Sequence, residues 1–251
     1  MSNPILNSKF SNDFNTFDTQ EGVMSIQGAA IKTFILLAIT VLSASYTFMQ
    51  FIQGFTDKVN ILTTAGVIGG LIAAFVAIFN VRNKAVLIPA VIIYAIFEGL
   101  LLGGISGFYA VITKGSTIIV NAVCATFATM FAMLILYSTR IIKCGEKLRS
   151  TVFIATFAVF VIYAVNFIVS LFNPNATSLL MGSGPVGIGF SFIVCLIAAF
   201  NFIVDFHIIE EGQNKEMPKY FEWYGAFGLM VTLIWLYLEV LRLFAKISDN
   251  N

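Results

Sequence analysis

The sequence predicts an all-α integral membrane protein that crosses the bilayer about seven times. Composition is the first reason. Of 251 residues, 59% are apolar and 11% charged, with a mean hydropathy of +0.92, whereas a soluble domain carries about 25% charged residues. The second reason is seven apolar runs long enough to span, each near the roughly 20 residues that a bilayer core requires. The third is that the polar connections between them are too short to hold a soluble domain.

The first 28 residues are polar and rich in Asn. No apolar core begins early enough for a secretory signal peptide, and Asp13, Asp18 and Glu21 argue against an acid-poor transit peptide. Residues 1–28 are therefore expected as a cytoplasmic tail, 29–247 as the transmembrane domain and 248–251 as a short C-terminal tail. Spans are expected at 31–53, 60–81, 86–112, 117–138, 151–172, 185–208 and 223–245. The connections fall at 54–59, 82–85, 113–116, 139–150, 173–184 and 209–222.

Lysine and arginine set the orientation. With the amino terminus inside, the inner segments carry Lys9, Lys32, Arg82, Lys84, Arg140, Lys143, Lys147, Arg149, Lys215 and Lys219. Lys58, Lys114, Arg242 and Lys246 remain for the outer side. The bias predicts a cytoplasmic amino terminus. The Asn, Ile, Phe and Lys-rich composition suggests a bacterial plasma (inner) membrane.

Several classes of function are excluded. A net charge of +1 does not suit nucleic-acid binding, which needs a basic patch. Cys124, Cys144 and Cys195 lack the paired spacing of a disulfide framework or a structural zinc site. One histidine, His207, leaves a hard cation bound by oxygens as the metal to consider. No organic cofactor is expected.

Acidic residues inside the spans carry the chemical signal. A carboxylate at mid-helix costs about 2.5–3.5 kcal/mol on insertion scales, so each must face protein or water. Glu98 opens the run EGLLLGGISG, where Gly99, Gly103 and Gly107 recur every fourth residue and let a neighbouring backbone approach. In the sixth segment Gly187, Ser191, Cys195, Ala198, Asn201 and Asp205 follow one another at intervals of three or four. They make a small, polar stripe suited to lining a crevice. In the seventh, Glu239 either pairs with Arg242 at i+3, snorkels outward, or meets Asp205 across two neighbouring helices. Two carboxyls in one poorly hydrated site would hold a proton between them and attract Ca²⁺.

The stretches NFIVDFHIIEEG and MPKYFEWYGAFGLMVTLIWLYLEVLRLFAKI resemble the last two helices of the Bax inhibitor family, the transmembrane Bax-inhibitor-motif proteins. SNPILN, SIQGAAIKTFILL and the EG…LG run at Glu98, Gly99 and Gly103 resemble its bacterial branch. The resemblance implies seven helices with six wrapped around the last, and a pH-sensitive calcium leak governed by carboxylates on helices six and seven. Those positions match Asp205 and Glu239, as pH sensor and possible Ca²⁺ ligands, with Ca²⁺ as the permeant or bound ion. Glu239 departs from the aspartate of relatives, and the loop before it looks longer. Arg82 is the nearest match to an arginine latch, with Glu98 and Asn201 as secondary polar sites.

Rival readings remain. Gly104, Ser106 and Gly107 spell the GxSG motif of intramembrane serine proteases, but the only histidine is expected near the inner edge and Ser106 in the outer half, so no enzyme is expected. A retinal photoreceptor needs a lysine in the last span, and none lies between Lys219 and Lys246. A proton-coupled transporter stays open. So does a regulatory protein that binds another membrane protein, such as a protease or stress-pathway component.

Overall fold

A computed structural model describes residues 22–113, 115–172 and 180–249. Seven helices follow in order: α1 (Ile26–Ile52), α2 (Thr56–Phe79), α3 (Lys84–Ile112), α4 (Thr117–Ser138), α5 (Glu146–Phe172), α6 (Pro185–Asn214) and α7 (Phe221–Asp249). All seven are long and apolar enough to cross a membrane, and no strand is formed among the described residues. The expected spans hold. Most helices begin earlier than their apolar runs, because a helix of 27–30 residues is about 40–45 Å long and outreaches a hydrocarbon core of about 30 Å.

The last helix is the axis. Two thirds (67%) of the α7 span is buried, against 11% for α5. α7 packs directly on α1, α3, α4 and α6, while α2 lies on α3 and α1, and α5 lies on α6. The other helices thus surround α7 in two layers.

Glycines explain the tightest packing. A Cβ on Gly99 would collide with the Thr40 carbonyl of α1, and one on Gly103 with the Ala44 carbonyl. Close approach lets side chains bond across the seam: Thr40 Oγ1 donates to the Ala95 carbonyl at 3.1 Å and Ser43 Oγ to the Ile96 carbonyl at 2.7 Å. The four-residue glycine repeat is therefore a helix-packing device, and α1 is the neighbour it admits.

Ser25 caps α1, its Oγ accepting from the Gly28 N–H at 2.9 Å. Just before it, the Met24 N–H donates to the Met217 carbonyl at 2.8 Å, and Val23 bridges Pro218. This strap closes one end of the bundle. The segment 209–222, expected as a connection, is largely helical: α6 continues to Asn214, leaving a short turn before α7. Its polar side chains can extend the helix because they stand at the bundle's end.

Candidate functional site

A cavity of about 370 Å³ opens in the half of the bundle nearest the strap. α2, α3, α6 and α7 build it, and Glu98 and Asp205 both border it, with Tyr94, Tyr224 and Thr232. Glycine makes the room. A Cβ on Gly70 would stand 3.2 Å from Glu98 Oε1, and one on Gly228 would stand 3.7 Å from Asp205 Oδ1. Thr232 Oγ1 donates to Asp205 Oδ2 at 2.6 Å. Tyr94, one turn before Glu98 on α3, borders the cavity with it. Its ring is held edge-on to Phe227, with centroids 5.0 Å apart. Two acids from different helices thus border one space.

The expected pair of Asp205 and Glu239 is not formed. Asp205 bonds at the level of Thr232, and Glu239 is seven residues further along α7, about 10 Å along the axis. Glu239 has its own partners. Tyr163 of α5 donates to both carboxylate oxygens at 2.9 Å, and Arg242 Nη1 lies 3.1 Å from them. The i+3 pairing considered for Glu239 is therefore the one that forms, joined by a tyrosine. These two carboxylates do not share one ion. Among the described residues, no three His, Cys, Asp or Glu side chains gather as a metal site.

The α6 stripe is mostly covered rather than open. Gly187, Ser191, Cys195 and Ala198 are buried. Asn201 turns toward α5, its Nδ2 donating to Thr156 Oγ1 at 2.9 Å. Only its last member, Asp205, borders the cavity. Arg82 is exposed in the turn between α2 and α3, and its carbonyl accepts from Tyr220 Oη at 3.5 Å. The serine and histidine weighed as a protease pair have separate partners. Ser106 Oγ bonds Tyr237 Oη at 2.7 Å, and His207 Nδ1 lies 3.3 Å from Tyr137 Oη.

Glu222 is the residue that sequence reasoning missed. It is 1% exposed, pairs with Lys32, and accepts from the Ser25 N–H at 2.9 Å and Ser25 Oγ at 3.0 Å. The available signal was Lys32 itself, a cation inside the first apolar helix that needs a carboxylate partner. Glu210 is similar at the same end, taking Arg140 and Tyr137 together.

Seven spanning helices, six of them packed around the last, with a cavity bordered by two acids in one half, define a polytopic membrane protein. The chain belongs to the Bax inhibitor 1 like family, which matches residues 3–249. None of the curated proteins matches it.

Proposed function

We propose that the chain is a calcium leak path in a bacterial plasma membrane, controlled by the protonation of Glu98 and Asp205, with its amino terminus in the cytoplasm. The observation that carries the reading is that both carboxylates border one cavity. The family resemblance implies the calcium leak, and this cavity supplies the acids. In this reading Glu98, which borders the same cavity as Asp205, takes the role that the resemblance gives to Glu239.

The chemistry follows from charge. With one proton between them the two acids carry a single charge. When that proton leaves, two like charges border one cavity, and their repulsion favours a cation entering. Calcium takes about six to eight oxygen ligands. If each carboxylate binds through one oxygen, Glu98, Asp205 and the hydroxyls of Thr232, Tyr94 and Tyr224 supply about five, which suits an ion in transit that keeps part of its water. The serine–tyrosine and histidine–tyrosine pairings count against the serine-protease reading.

Purified protein in liposomes loaded with a calcium dye tests this. Leak should vary with pH across the neutral range. Asp205→Asn should abolish that variation, and Glu98→Gln should reduce the flux about tenfold, as loss of roughly 1.4 kcal/mol of attraction would. Glu239→Gln should keep the pH response whatever its absolute rate. Wild-type liposomes that stay tight at every pH would overturn the leak and favour a protein that modulates another membrane protein.

A further inference from the structure

Glu239 lies outside the cavity, and the leak reading gives it no task. Its partner helix, α5, is the least covered of the seven. Only Val152 and Val159 are buried in it, and every residue from Phe167 to its end is exposed. Two polar side chains tie it to the bundle among the described residues: Thr156, bonded to Asn201, and Tyr163. Tyr163 makes several contacts at once. Its hydroxyl bonds Glu239 and accepts from Arg242 Nη1 at 2.5 Å. Its ring lies 4.8 Å from the Arg242 guanidinium and meets Phe190 edge-on at 6.2 Å.

Beneath α5 runs the polar stripe of α6. From Asp205 at the cavity it continues through Asn201 and Cys195 to Ser191 and Gly187 near the opposite end. The Ser191 hydroxyl is fully buried and has no hydrogen-bond partner among the described residues. Such a group is unfavourable unless water reaches it. Glu239, Arg242 and Lys246 face the same region from α7, with Lys246 Nζ donating to the Gly187 carbonyl at 3.0 Å. Charged and polar groups at membrane depth on two adjoining helices are the usual lining of a water-filled route.

We propose that α5 is a latched wall: Tyr163, held by Glu239 and Arg242, closes a polar seam between α5, α6 and α7. Released, that seam is the aqueous route from the Asp205 cavity to the far end of the bundle. The inference rests on the leak reading and assigns Glu239 to the closure rather than to proton sensing. α5 can swing because it gives up little buried apolar surface. The α1–α3 seam cannot, because its backbones touch.

Cys195 reports on the seam directly. It is 9% exposed, on the stripe beside Glu239. With Cys124 and Cys144 replaced by Ser, protein in liposomes is treated with a charged, water-soluble methanethiosulfonate, and calcium leak is followed in the same vesicles. Tyr163→Phe and Glu239→Gln cut the latch from opposite helices, so one suffices if the other does not fold. Each should label Cys195 at least about tenfold faster, as expected for easier local opening, and should raise the leak. The double variant should label no faster than the faster single one, because both changes break one contact. Unchanged labelling in a folded variant overturns the proposal, as does a double variant whose effects multiply. Faster labelling with unaltered leak, in a protein that does leak, overturns the route. Faster labelling with no leak in any variant sinks the leak reading and leaves the wetting seam standing.

Discussion

Glu222 is 1% exposed and holds the Ser25 N–H, the Ser25 hydroxyl and the Lys32 ammonium at one carboxylate. Glu222→Gln keeps the shape and removes the charge, leaving Lys32 confined without its counter-charge. Breaking one side of such a pair costs about 3–5 kcal/mol. The variant should therefore melt several degrees lower in detergent, and the Met24 and Ser25 amides should exchange faster as the strap loosens. Glu222→Met with Lys32→Met should be milder than the single change, since no orphan charge remains. An unshifted melting point would show that the strap is held by its backbone bonds alone. Individual acids were legible in the sequence as exceptions to an apolar rule. Arg242, three residues from Glu239, was within reach of the sequence; partners on other helices were not, because pairing across helices depends on rotation about each helix axis. Asp205 and Glu239 looked alike on paper, yet Thr232 claims one and Tyr163 the other.

The helices themselves were readable, and so was the glycine repeat of α3, because both depend on local spacing. Gly99→Ala drives a methyl into the Thr40 carbonyl, and backbone cannot retreat as a side chain can. It should lower the melting temperature and weaken expression. Gly189→Ala is the control, because nothing lies within 4 Å of where its Cβ would stand. In a helix that change gains about 0.5–1 kcal/mol, so this variant should melt at or above wild type. Equal effects of the two would mean that the α1–α3 seam relaxes freely. The α6 stripe was legible only in part, for an instructive reason. Its period correctly marks one face, but small polar residues suit a close-packed seam as well as an open crevice, and only the packing of α5 and α7 on that face distinguishes them.

At the scale of the whole molecule, packing alters the charge ledger that sets orientation. Counted along the sequence, four cations fall on the side opposite the amino terminus, and Arg242 and Lys246 are half of them. In the folded chain Arg242 is paired with Glu239, and Lys246 is buried against the Leu180 and Gly187 carbonyls. Neither is a loop charge of the kind that holds a segment in the cytoplasm. Arg140, Lys215 and Lys219 instead stand in or beside the turns at the strap end, where Lys32 also finds its partner. The asymmetry is thus steeper than a count suggests, and it predicts the strap end in the cytoplasm and the Asp249 end outside. A reporter fused after Asn251 decides the matter: alkaline phosphatase, which works only outside the cytoplasm, should be active there, and green fluorescent protein should be dark. The reverse pattern would turn the Asp205 cavity to the outer face, so that external rather than cytoplasmic pH would control the acids. The same two fusions therefore establish which solution the leak measurements must titrate.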